Sequence, residues 1–391
     1  MRPGDCPGKQ TPYRGAVMRL PTYEDLSKEQ DRIYDLPLEG SYLIIGPPGS
    51  GKTVLALHRA KRMNDSDRAV KVLMYHNLLR QFTERAIANL DIDAITDSFW
   101  SWFPRFYRSL YRFPPFHIDQ WKLDWVKILQ KFQSKPPPKG KVGHLIVDEG
   151  QDLPREFYLI ASHVSSDLTV FADENQVITE DNSTIQDIKV HAGIKGPIMQ
   201  LRRNYRNTRE IAQLASHFYT GDSPTGIAEM PERSGPGPEL RWYSKPRPYE
   251  TVQWIAAYES SHTDLQIGVL VPSHDVQKTF WNRLCGKTSN QVQMYVGDEA
   301  DFRDVDWGLA GIKIVTYASA KGLEFDTVFI PELQAFRQYP SMPDVRMRFY
   351  VLISRARQEL YLSFSGEGEP AILTLFKPAI EQGHVQLRRM S

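Results

Sequence analysis

Gly46-Pro-Pro-Gly-Ser-Gly-Lys-Thr53 follows the apolar run Ser41-Tyr-Leu-Ile-Ile45 and leads into a stretch of helical character from Val54 to Met63. A strand, a glycine-rich turn and a helix in that order, with G-x-x-x-x-G-K-S/T spacing, read as a phosphate-binding loop. Its glycines let backbone N–H groups turn inward around phosphate oxygens, and the helix N-terminus adds its positive dipole end. Gly46, Gly49, Ser50 and Gly51 form the cradle, Lys52 reaches the β- and γ-phosphates, and the Thr53 hydroxyl is placed to ligate Mg²⁺. A chance glycine-rich turn lacks this combination of strand, spacing, lysine and threonine.

Outward from the loop, apolar strands alternate with helices. Val70 to Tyr75 reads as a strand, Leu78 to Ala88 as a helix, and His144 to Val147 and Leu168 to Phe171 as further strands. This alternation predicts a parallel, doubly wound sheet. Between Phe99 and Lys141 the pattern breaks into a stretch dense in aromatics that contains Pro136-Pro-Pro138, which reads as a small helical insertion. Asn207-x-x-Glu210 reads as a capping-box start of a helix, and Thr220 to Pro238 as a loop or linker. A second alternating series follows, with strands expected at Leu240 to Tyr243, Gln266 to Val271, Ile312 to Thr316, Thr327 to Ile330 and Leu360 to Phe364. The expected organisation is a mobile tail (1–20), a first α/β domain (21–200, with the insertion at about 99–141) and a second (201–391).

A second chemical signal sits in Leu145-Ile-Val-Asp-Glu-Gly-Gln-Asp152, which puts two carboxylates at the end of a buried strand. Asp148 is placed to hold Mg²⁺ through its water shell, and Glu149 to polarise an attacking water. Phosphoryl transfer needs that division of labour.

With these boxes in view, the chain resembles the UvrD/Rep-like superfamily 1 DNA helicases, as a compact and atypical member. Asp148-Glu149-Gly-Gln-Asp152 looks like the family's D-E-x-Q-D box. Phe171-Ala-Asp-Glu-Asn-Gln176, Leu201-Arg-Arg-Asn-Tyr-Arg-Asn207, Thr316-Tyr-Ala-Ser-Ala-Lys-Gly-Leu-Glu-Phe-Asp326 and Tyr350-Val-Leu-Ile-Ser-Arg-Ala-Arg357 resemble its third to sixth boxes, in the family's order. Leu26-Ser-Lys-Glu-Gln30 looks like its adenine-reading motif. The resemblance implies two RecA-like domains closing on ATP in a cleft between them. It implies that Gln30 binds the adenine edge, Tyr205 stacks on the base, Gln176 senses the γ-phosphate, and Gly322 and Glu324 line the ribose and phosphate side. Arg206 and Arg355 would be arginine fingers, planar cations that answer the charge spreading over the γ-phosphate. Tyr75, Asn77, Ser98 and Trp100 fall where the family meets the strand backbone, with core packing as the competing reading. Departures accompany these matches: Val177-Ile-Thr-Glu-Asp181 replaces an aromatic wedge, Ala318 a histidine and Val54 an arginine. The fourth-to-fifth-box gap is also too short for the large domain that many relatives insert there.

Composition agrees with a soluble globular protein, 41% hydrophobic and 24% charged over 391 residues. No apolar run suggests a membrane span or a signal peptide, and two cysteines support neither a disulfide framework nor a zinc site, so a cytoplasmic protein is expected. Net charge is only +1, yet Ser101 to Lys141 carries nine Lys/Arg against two acids. There Arg105, Arg108 and Arg112 interleave with Phe106, Tyr107 and Tyr111, a mixture of charge and ring faces suited to a nucleic-acid strand. The bland alternative makes the rings the insertion's core. The function expected from the whole is an ATP hydrolase, a Mg²⁺-ATP motor on single-stranded DNA, with RNA as the other strand, in DNA repair or anti-phage defence. The rival reading is a nucleotide-switched ATPase subunit that regulates a partner protein such as a nuclease, with little unwinding of its own.

Overall fold

A computed structural model of the chain describes residues 21–75, 77–120, 122–173, 182–221, 227–244, 248–296, 305–336, 340 and 342–390. The expected tail at 1–20, the third-box Gln176 and the Val177–Asp181 departure lie outside the described residues. The chain divides into two compact units, one built on Leu20–Arg202 and the other on Arg203–Asp222 and Glu229–Ser391.

The first unit runs α1 (Lys28–Tyr34), β1 (Tyr42–Ile45), α2 (Lys52–Asp65), β2 (Val70–Met74), α3 (Asn77–Asn89), β3 (Thr96–Ser98), α4 (Phe99–Tyr111), α5 (Trp125–Ser134), β4 (His144–Val147), α6 (Arg155–Val164), β5 (Leu168–Ala172), α7 (Ile185–His191) and β6 (Met199–Gln200). Its six strands are ordered β3-β2-β4-β5-β1-β6. All pairings are parallel, with Tyr42 opposite Thr169 and Val70 opposite His144. Strands β4 and β5 are buried along their whole length, as strands covered on both faces must be. The turns leaving β1, β4 and β5 therefore emerge together at the carboxyl ends of the three neighbouring strands, where open α/β sheets place their ligands.

The insertion is helical, as expected, but its rings are structural. On α4 the residues Phe99, Phe103, Tyr107 and Tyr111 recur every four positions and are buried, joined by Trp102. Phe103 lies 5.1 Å from the Trp125 ring of α5, and Phe99 lies 5.3 Å from Phe157 of α6. Phe106 stacks on Trp102 at 4.6 Å, and burial pushes the Tyr107 hydroxyl up to about 12. The expectation that Phe106, Tyr107 and Tyr111 offer stacking faces to a strand is therefore corrected: the helical period turns them into the core and leaves the arginines outside.

The second unit runs α8 (Arg209–Ser216), β7 (Glu239–Tyr243), α9 (Pro248–Ser261), β8 (Gln266–Val271), α10 (His274–Leu284), β9 (Val292–Met294), β10 (Gly311–Thr316), β11 (Phe325–Ile330), α11 (Pro343–Ile353), β12 (Ala356–Ser365), α12 (Lys377–Glu381) and β13 (Gln386–Met390). Its seven strands are also parallel, in the order β13-β7-β12-β11-β8-β10-β9. The capping box expected at Asn207 and Glu210 does not form. Thr208 is the N-cap of α8, Glu210 accepts from the Gly235 amide, and Asn207 bonds elsewhere. Among the described residues no helix is long and apolar enough to cross a membrane.

If the insertion shares the first unit's core, Phe103→Ala should cost ~3–5 kcal/mol, as for other buried aromatics. Urea unfolding measures this, and an unchanged midpoint would show that α4 is not part of that core.

Candidate functional site

β1 delivers the chain into the loop at Gly46, whose amide donates to Ala172 O at 3.3 Å. Only glycine fits there: a Cβ would stand 2.5 Å from Ser50 Oγ and 2.9 Å from Leu201 Cβ. Gly51 caps α2 with φ +90°, in the left-handed region, and contributes no side chain to the helix's first amides. The first turn of α2 carries no acid, so its N-terminal N–H groups stay available to an anion. Lys52 is buried and donates to Gly46 O at 2.6 Å and Pro47 O at 3.0 Å, with Asp173 Oδ2 3.5 Å away. Gln30, also buried, donates through Nε2 to Ser50 O at 3.1 Å, while its Oε1 accepts from the Ser27 amide at 3.0 Å. The residue expected to read adenine thus also holds the loop to the start of α1.

The strand-end acids lie against this loop. Thr53 donates its hydroxyl to Asp148 Oδ2 at 2.7 Å. Asp148 is fully buried, and its carboxyl is pushed up to about 7. Burial is the main cause and the adjacent Glu149 adds to it, while the Thr53 hydrogen bond and Lys52 oppose it. Glu149 has a left-handed backbone at φ 53° and accepts from Gln151 Nε2 at 2.6 Å. Gln151 in turn accepts at Oε1 from the Asp173 amide at 2.8 Å. Two buried neighbouring carboxylates with a threonine hydroxyl alongside form a hard, anionic oxygen set, the donor chemistry that suits Mg²⁺. Gln151 and Asp173 had no role in the sequence reading beyond membership of their boxes. Their partners lie 22 and 121 residues away from them, and only the strand order brings the pairs together.

The second unit gathers Tyr205, Arg206, Gly322, Glu324 and Arg355 around the turns of the fourth to sixth boxes. Arg206 Nε donates to Glu324 Oε2 at 2.6 Å, while its Nη1 is buried without a hydrogen-bond partner among the described residues. Burial raises the Glu324 carboxyl, but Arg206, Arg357 and Arg355 together hold it below its ordinary range. Arg355 is 1% exposed and spends Nε on Val351 O at 2.9 Å and Nη1 on Leu323 O at 3.2 Å. Gly322 takes φ 76° in the turn between them, and Tyr205 is exposed. Asn204 and Asn207 emerge as residues that sequence reasoning missed. Asn204 Oδ1 accepts from the Arg206 amide at 3.0 Å, and Asn207 Nδ2 donates to Ser354 O at 3.1 Å, tying the fourth box to the sixth.

The strand-contact candidates divide. Tyr75 is buried against Trp100, rings 6.2 Å apart edge to face, whereas Trp100 is 43% exposed. Asn77 is exposed. Ser98 is buried as the N-cap of α4 and accepts from the Ser101 amide at 3.3 Å. Arg105 and Arg108 are exposed on α4, and Arg112 is exposed at its C-cap.

Residues 298–367 match the profile of the UvrD-like helicase C-terminal domain, and residues 36–182 match that of an AAA domain. A curated relative, the RecBCD enzyme subunit RecB of Chlamydia pneumoniae, is 39% identical over 57 residues, or 15% of this chain. The chain's match spans 5% of that relative's length. Two solved structures are also similar. The C-terminal domain of a possible DNA helicase from Lactobacillus plantarum is 19% identical, with a TM-score of 0.34, over 47% of this chain and 98% of that one. The helicase nonstructural protein 10 of an arterivirus is 16% identical, with a TM-score of 0.41, over 89% of this chain and 63% of that one.

The raised Asp148 carboxyl makes a stability prediction. With a folded value of about 7 and an ordinary value of 3.8, the protonated group favours the fold fully below pH ~4. That contribution is lost as pH rises to about 7. Asp148→Asn should therefore stabilise the nucleotide-free protein by about 2–4 kcal/mol at pH 8, with the gain fading to nothing near pH 4. Thermal unfolding across that range, without magnesium, measures it; equal stability of the two proteins at pH 8 would contradict the assignment.

Proposed function

We propose that the chain is a UvrD-like superfamily 1 helicase, a family of ATP-hydrolysing helicases, and that it works as a Mg²⁺-ATP-driven motor on single-stranded DNA, serving DNA repair or anti-phage defence. The observation that carries this reading is the 2.7 Å hydrogen bond from Thr53 to Asp148, which joins the phosphate loop to the acid box.

In this reading Thr53 and Asp148 hold Mg²⁺, which neutralises phosphate charge when bound. The loop amides and Lys52 bind the β- and γ-phosphates, with Lys52 exchanging its carbonyl partners for phosphate oxygens. Glu149, oriented by Gln151, takes up the proton of the attacking water. Gln30 and Tyr205 bind the base, and Gln176 senses the γ-phosphate. Gly322 and Glu324 line the nucleotide. Arg206 and Arg355 supply positive charge as negative charge spreads over the transferring group. The unpartnered Arg206 Nη1 supports that role, since a buried donor without an acceptor is costly unless function uses it. Trp100 and Asn77 contact the strand, and use of ATP suits a cytoplasmic location.

Lys52→Ala should abolish turnover and weaken nucleotide binding, because it removes the cation within the loop. Glu149→Gln should abolish turnover and keep binding, because shape is retained and the base is lost. Arg206→Ala should lower kcat by ~10³-fold with a smaller effect on ATP affinity, the pattern of a contact made in the transition state. Wild-type turnover in Glu149→Gln would overturn the assignment of the acids.

Autonomous unwinding should be weak. Ala318 is exposed where the family's histidine contacts the strand, and each lost contact of the stacking kind costs ~1–3 kcal/mol of grip. The short likeness to a protein named as an enzyme subunit favours a second reading, in which the ATPase is a nucleotide-switched part of an assembly with a partner such as a nuclease. Strand displacement on a tailed duplex under single-turnover conditions separates the two. Efficient displacement by the purified chain alone would favour the autonomous motor, and ATPase without displacement, rescued by a co-purifying protein, would favour the partnered one.

A further inference from the structure

The outer face of α4 carries a feature that the nucleotide chemistry does not use. At 3.6 residues per turn, Arg105 and Arg108 fall within about 60° of each other around the helix axis, opposite the buried stripe of Phe99, Phe103, Tyr107 and Tyr111. Arg112, the exposed left-handed C-cap residue, follows about 10 Å from Arg105 along the axis. Only Ser101 and Ser109 share their face, and α4 contains no acid. The acid that meets this stripe comes from β3: Asp97 accepts from Arg105 and lies 3.6 Å from Lys71 Nζ. Among the described residues no carboxylate pairs with Arg108 or Arg112.

We propose that this face is a track for the phosphate backbone of a single strand, and that Asp97 occupies the track's first cation until a phosphate displaces it. The proposal rests on the strand-acting reading above. A run of about 10 Å is long enough to meet more than one phosphate of a strand, and the long arginine side chains can follow its backbone. The rings are turned into the core, so the track reads charge and not bases. An acidic protein partner fits less well, because the aromatic anchors that accompany arginine at the centre of protein interfaces are turned into the core here.

The test is equilibrium binding of a labelled oligothymidylate to the full chain without nucleotide, over a salt series. The variants are the triple R105Q/R108Q/R112Q and Asp97→Asn, which keeps the Oδ1 that accepts from the Ser98 amide. The triple variant, shown to be folded by its thermal unfolding, should bind more weakly, with a log–log salt slope shallower by about 2, at ~0.7 per phosphate contact. Asp97→Asn should bind more tightly than wild type, since it frees Arg105 and Lys71. A triple variant with wild-type slope and affinity would overturn the track, and unchanged binding by Asp97→Asn would overturn the role of Asp97. Poly-glutamate binding as tight as DNA, lost equally in the triple variant, would overturn the choice of nucleic acid. No binding of any strand by the wild-type chain would instead remove the strand-acting reading itself.

Discussion

The hydrogen bond from Thr53 to Asp148 sets conditions that the rest of the first unit must meet. Thr53 stands in the first turn of α2 and Asp148 at the end of β4, yet β5 lies between β1 and β4 in the sheet. Two strand spacings are ~10 Å. The contact therefore requires parallel strands in matched register, so that three turns converge at one edge, and a loop that folds back over β5. Asp173, leaving β5, completes the bridge by facing Lys52 at 3.5 Å. The buried acids raise the folding cost of this arrangement, and the raised Asp148 carboxyl expresses that cost. A site that is electrostatically uncomfortable when empty is one that a bound cation relieves.

The second unit shows a related economy. Glu324 keeps its charge despite burial because three guanidinium groups surround it. Asn204 accepts from the Arg206 amide and donates to the Asn207 side-chain oxygen, and Asn207 donates to the Ser354 carbonyl, so Arg206 and Arg355 are held by a network of neutral hydrogen bonds as well as by charge. Arg233 adds bonds to the carbonyls of Arg206 and Arg357. Such satisfaction of buried polar groups fixes side-chain geometry more sharply than apolar contact does.

Most of this was legible in the sequence where local pattern decides structure. The apolar runs at β1, β2, β4, β5, β8, β10 and β11 announced themselves, and the loop and acid box named their own chemistry. Strands β3, β6 and β9 were too short to show a period, and Gln386-Leu-Arg-Arg-Met390 of β13 reads as polar surface because it forms a sheet edge. The pairings of Lys52 with Asp173 and of Gln151 with the Asp173 amide depend on strand order, which no local window contains. The insertion's helical character was legible, but the facing of its rings was not, for a different reason. Its rings and arginines alternate in sequence, and only the four-residue recurrence of Phe99, Phe103, Tyr107 and Tyr111 separates a buried face from a charged one. That signal was present and was outweighed by composition.

The central claim is that the loop and the acid box form one nucleotide site whose turnover answers to a single strand. Steady-state ATP hydrolysis by the purified chain, with magnesium, measured side by side with no nucleic acid, single-stranded DNA, duplex DNA and RNA, tests it most directly. The account predicts slow turnover without nucleic acid and strong stimulation by single-stranded DNA. Turnover that is equally fast in all four conditions, or absent in all four, would contradict it.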